Sequence, residues 1–214
     1  MASLRTVGLL WAFVLVALVM GLRFRVRQNA GHGARGGKIS NPKVLWLFFA
    51  IWFWFVECSV LYFEPALPRA YQLILGAHAA SMWLRGVVEL VMLHVTKSWR
   101  PPIGIAHDAL CLAVIAGLVL WQGAALGALG AWGAWAPALV GMLVFSLVVE
   151  LLYAAMFFQA VEGKTTGEDG VWCADPESER FRRINRITFT FNTPQVLFQA
   201  ALLGVLTASA LGRP

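Results

Sequence analysis

Apolar residues run through this chain in six long blocks separated by short polar segments. An α-helix needs about 20 residues to cross a hydrocarbon core of about 30 Å. Blocks of that order cover residues 6–22, 44–63, 70–95, 105–121, 137–161 and 187–211. The pattern predicts an all-α fold, a polytopic integral membrane helical bundle of about six transmembrane helices, with residues 1–214 as a single transmembrane domain. Local chemistry supports the boundaries. Ser40-Asn41-Pro42 supplies a cap and an early-turn proline for the second helix, and Glu64-Pro65 with Pro68 marks the turn before the third. Arg100-Pro101-Pro102 breaks the chain before the fourth, since proline disfavours a helical residue ahead of it. No small-x-small cleavage site follows the first block, so it is expected to stay as a helix.

Composition removes the soluble alternative. The chain is 59% hydrophobic and 13% charged, with mean hydropathy +0.70. A water-soluble domain carries roughly a quarter charged residues to cover its surface. Apolar side chains can face outward when the surroundings are a lipid bilayer, which is therefore the first expected partner. The net charge of +6 does not indicate nucleic acid, because the cations cluster in short loops. Segments 23–43, 96–104 and 162–186 hold thirteen of the 17 Lys and Arg residues, while the other side has only Arg5, Arg69 and Arg213. The positive-inside rule then places the three loops in the cytoplasm and both termini outside it, across what is expected to be a bacterial inner (plasma) membrane. Cys58, Cys111 and Cys173 have no CxxC spacing and read as packing thiols.

Ionisable residues inside the blocks carry the functional argument. A charge at a helix centre costs about 2.5–3.5 kcal/mol on insertion scales, so such residues should face the bundle interior. They are Glu57, Arg85, Glu89 and Glu150. His78, Met82, Arg85 and Glu89 follow the i, i+4, i+7, i+11 spacing of one helix stripe, and Thr188, Asn192, Gln195 and Gln199 repeat it. Ser146, Glu150, Tyr153 and Phe157 share a face of the fifth helix. Turning these stripes together would build a carboxylate-rich polar seam, with Glu57, His78, Arg85, Glu89, Glu150, Tyr153, Asn192 and Gln195 as candidate ion- or ligand-binding residues. Three intramembrane glutamates face one permanent cation, Arg85, and a buried glutamate without a cation tends to hold a proton. Pro194 is expected to kink the last helix beside Asn192.

His107, Asp108 and Glu89 form a second, sparser constellation, readable as metal ligands or as acid/base groups. Asp108 could equally cap the fourth helix, and His94 points away from the Glu89 stripe. A haem would need a second intramembrane histidine facing His78. The aromatic runs 46–49 and 52–55 suit a pigment or quinone less well than a lipid-facing surface. No phosphate loop, GxSxG or HExxH is present, and no cofactor is identified. Three functions fit: a seam that binds or passes a proton, cation or small ligand, a membrane-embedded enzyme acting on a lipid-soluble substrate at the cytoplasmic face, or a structural or assembly subunit. The first fits either a homo-oligomer or one subunit of a membrane complex.

Overall fold

A computed structural model describes residues 2–31, 41, 44, 45, 48, 50–96, 101–160 and 179–212. Much of the three basic loops, with Arg35, Lys38, Lys43, Lys97, Arg100 and Lys164, lies outside the described residues, as do His32 and Cys173. All regular structure among the described residues is helical. Helix α1 spans Leu4–Asn29, and a π-helical segment, Ala50–Glu57, runs into α2, Cys58–Tyr62. Then follow α3 (Arg69–His94), α4 (Pro101–Trp121), α5 (Trp135–Ala160) and α6 (Glu179–Ala210). Five of them contain stretches long and apolar enough to cross a membrane: Leu4–Asn29, Arg69–Met92, Ile103–Trp121, Trp135–Met156 and Asn185–Ala210. The architecture is that of a polytopic integral membrane protein. The expected second span falls partly outside the described residues, and the continuous stretch of it that is described is the π segment with α2.

Three helices run further than hydropathy suggests. Helix α1 continues to Asn29, so Arg23, Arg25 and Arg27 ride on its last turns rather than in a loop. Helix α6 begins at Glu179, carrying Arg180, Arg182, Arg183 and Arg186 on the helix ahead of its apolar stretch. Helix α4 starts at Pro101, because prolines in a first turn lack only N–H groups that no intrahelical carbonyl would accept. Charge ends an apolar block without ending a helix.

The helices pack around a closed circuit. Each neighbours the next in sequence, α6 returns to α1, and α3 also touches α5. Trp11 Nε1 donates to Thr207 Oγ1 at 3.0 Å and ties α1 to α6. Small residues allow close approach. A β-carbon on Gly76 would come within 2.3 Å of the Tyr62 ring, and one on Gly86 would meet Phe55 at 3.0 Å, so α3 offers bare backbone to the segment before it. The core includes Phe53, Leu61, Ile74, Leu75, Ile115 and Leu143. Leucines and valines on the outer faces of α1, α3 and α4 stay exposed, as a lipid solvent allows.

One aromatic expectation changes. Trp52, Phe53 and Trp54 are buried rather than lipid-facing, because α1 and α3 both pack on the π segment. Trp132 is wholly buried in the turn between α4 and α5, whereas Trp121 is exposed. In that turn Tyr71 Oη donates to the Leu126 carbonyl at 2.5 Å.

Candidate functional site

Glutamates and amides begin the site at its α2 end. Glu57, the last residue of the π segment, is buried. With its amide nitrogen turned toward the carboxylate, Gln199 of α6 donates to both Glu57 oxygens, at 3.0 and 2.5 Å. Trp52 is a second donor to Glu57. A nearby carboxyl, Glu64, is also buried but works structurally. It accepts from the Ser3 N–H at 3.2 Å and the Ala66 N–H at 3.0 Å, and Gln72 Nε2 donates to its carbonyl at 2.6 Å. Those bonds fix the turn between α2 and α3 against the start of α1.

Deeper in the bundle, α3 and α4 share a chain of polar groups. His78 Nδ1 lies 3.6 Å from the Cys111 sulfur, and Cys111 is also hydrogen-bonded to Ser81. Ser81 Oγ stands 2.8 Å from His107 Nε2, with the Ser81 carbonyl at 3.1 Å from the same nitrogen. His107 Nδ1 is 3.1 Å from Asp108 Oδ1. That oxygen accepts a short hydrogen bond from the Arg85 guanidinium, whose Nε donates to Glu89 Oε1 at 2.9 Å. With its proton on Nδ1, His107 would donate to Asp108 and accept the Ser81 hydroxyl proton.

Burial grades along this line. The Asp108 side chain is 0% exposed, those of Arg85 and His107 are 16% and 17% exposed, and that of Glu89 is 32% exposed. One end of the chain is therefore enclosed and the other reaches the bundle surface. His78 to Glu89 covers about 16 Å of helix axis, roughly half a hydrocarbon core. The guanidinium lies against α4 where Gly104 has no side chain, since a β-carbon there would sit 3.0 Å from an Arg85 nitrogen. Two buried atoms in the chain, His78 Nε2 and Asp108 Oδ2, have no hydrogen-bond partner among the described residues.

The stripes on α5 and α6 form a second line. Trp54 Nε1 donates to Ser146 Oγ at 3.2 Å, and Thr188 Oγ1 lies 3.5 Å from Tyr153 Oη. Asn192 and Gln195 are buried, yet their amides bond back to their own helix, to the Thr188 carbonyl at 2.7 Å and the Phe191 carbonyl at 2.9 Å. Helix α6 continues through Pro194, which leaves the Thr190 carbonyl without its usual donor. Glu150 is buried on α5 and acts electrostatically on both Arg85 and Tyr153. The α3 stripe thus meets α4 most directly, with Glu150 acting on Arg85 from the other line.

Glu89, His107 and Asp108 come together, but Arg85 bridges the two acids. Among the described residues no three His, Cys, Asp or Glu side chains are placed to hold a metal ion. Asp108 is not a helix cap, because α4 begins at Pro101 and carries it into its second turn. The sequence marks neither Ser81 nor Cys111 as a site residue, and Cys111 reads there only as a packing thiol. A signal was available for α4: Gly104, Asp108, Cys111 and Ile115 repeat the i, i+4, i+7, i+11 spacing. Ser81 gives none, being a small neutral residue between Ala80 and Met82. Comparisons with protein-family models, with curated proteins and with solved structures found no match for this chain.

Proposed function

We propose that this membrane protein binds and passes protons along the polar line of α3 and α4, with Arg85, Asp108, Glu89 and Glu150 as its working cluster and the cation-rich loops in the cytoplasm. The observation that carries the reading is one guanidinium facing three carboxyl groups: it is bonded to Glu89 and Asp108 and lies within the field of Glu150. Low-dielectric surroundings make several ionised carboxyl groups side by side costly, and that supports a cluster able to hold and exchange a proton. A proton suits this cluster better than a metal cation, because Arg85 already sits between the acids and would repel one. Ser81, His107 and Cys111 extend the line with groups that can both donate and accept. Glu89, the most exposed of the acids, is its opening.

The test is proton uptake by sealed proteoliposomes under an imposed membrane potential, read with an internal pH dye. Wild-type protein should raise uptake above that of empty vesicles, and Glu150→Gln and Asp108→Asn should abolish the increment while the protein stays folded. Uptake equal to that of empty vesicles would overturn the reading.

One observation favours a membrane-embedded enzyme. Ser81, His107 and Asp108 stand in the order of a nucleophile, its base and an orienting acid. Arg85 weakens this second reading by sharing the same Asp108 oxygen that would stabilise a charged His107. A fluorophosphonate probe separates the two: covalent labelling lost in Ser81→Ala would support the enzyme, and an unlabelled serine would reject it.

A further inference from the structure

A groove of about 730 Å³ opens on the outer surface between α1 and the π segment with α2. Its chemistry changes along its length. At one end lie Ser3, Arg5 and Thr6, and toward the other lie Phe13, Phe55 and Trp83. The polar atoms at the deep end are already satisfied, since Trp83 Nε1 donates to Ser59 Oγ at 3.0 Å and Ser59 Oγ donates to the Phe55 carbonyl. At the mouth, the nearby Glu64 carboxylate is taken up by the Ser3 and Ala66 N–H groups. Arg5 makes no ion pair among the described residues, and it is exposed.

Length matches the gradient. From Arg5 to Phe13 helix α1 rises about 12 Å, most of the roughly 15 Å depth of one hydrocarbon leaflet. A cation at headgroup level above an apolar channel one leaflet deep complements a lipid with a negative head and an extended chain.

We infer that this groove is a binding site for one anionic phospholipid, with its acyl chain along Phe13, Phe55 and Trp83 and its phosphate on Arg5. The inference is independent of the proton reading, because none of the residues invoked belongs to the α3–α4 polar line.

Trp83 reports occupancy directly through quenching by brominated acyl chains. The full-length protein is reconstituted in phosphatidylcholine vesicles carrying a minor share of either brominated phosphatidylglycerol or brominated phosphatidylcholine. The Trp83 signal is taken as the difference between wild type and Trp83→Phe. Brominated phosphatidylglycerol should quench it as though enriched on the order of fivefold over its share in the vesicle, the effect of one Arg beside an anionic lipid. Arg5→Gln, at an exposed position, should remove that enrichment, and Arg5→Lys should retain it. Equal quenching by the two lipids, enrichment that survives Arg5→Gln, or no quenching because another helix covers the groove would each overturn the inference.

Discussion

Arg85 of α3 and Asp108 of α4 form an ion pair in which the carboxylate is wholly enclosed and the guanidinium keeps a narrow exposed edge. The pair joins two antiparallel neighbours well inside the bundle, and Glu89 holds the guanidinium from the next turn of its own helix. Removing one partner leaves the other charged and buried, which costs about 3–5 kcal/mol, whereas replacing both by apolar residues is often neutral. Arg85→Met and Asp108→Leu should each lower the unfolding temperature in detergent. The double variant should recover part of the loss, because the two changes share one interaction while Glu89 and Glu150 still lose their cation. Purely additive losses would mean that the pair does not hold α3 against α4.

Gly104 tests the position of the guanidinium without touching its charge. An added methyl would meet an Arg85 nitrogen at 3.0 Å, a gap that a flexible side chain can open by a small shift. Gly104→Ala should therefore leave the melting temperature near wild type, while Gly104→Val, which needs more room, should displace Arg85 and depress vesicle proton uptake several-fold. Uptake unchanged in Gly104→Val would separate the guanidinium from the activity.

Glu57 depends on Gln199 for a donor to each of its oxygens. Gln199→Leu removes that donor from a buried acceptor, which costs about 1–3 kcal/mol. Combining it with Glu57→Leu should return part of the stability, since both polar partners are then gone. Thermal unfolding of the two variants and the double variant is the measurement.

Packing between α2 and α3 rests on bare backbone at Gly76. A methyl group there has no room beside the Tyr62 ring, and overpacking of this kind costs about 1–3 kcal/mol. Gly76→Ala should destabilise the protein, and Tyr62→Leu should relieve most of the loss in the double variant, as read by thermal unfolding in detergent.

Five of the spans are legible in the sequence because hydrocarbon imposes a length and a composition on whatever crosses it. Their ends are less so. Arg23 and Arg180 interrupt hydropathy but not backbone hydrogen bonding, so α1 and α6 run on past the apolar stretch. The extra first turn of α4 is what hides the pairing of Asp108 with Arg85, since a helix starting near residue 105 puts that acid at its beginning, where a cap is the natural reading. Burial of Asn192 and Gln195 follows from helical spacing, but the direction of their amides does not. Rotamer choice turns both toward their own helix carbonyls, leaving the ends of that row, Thr188 and Gln199, to reach other helices. The π segment gave no periodic signal, because Trp52, Phe53 and Trp54 are consecutive and all buried.

The most direct test is the infrared carbonyl band of protonated carboxyl groups, recorded on purified protein at neutral pH in ordinary and heavy water. If the acids around Arg85 hold an exchangeable proton, a protonated-carboxyl band should appear, shift in heavy water, and weaken in Glu150→Gln. Absence of that band, or a band indifferent to that substitution, would contradict the account.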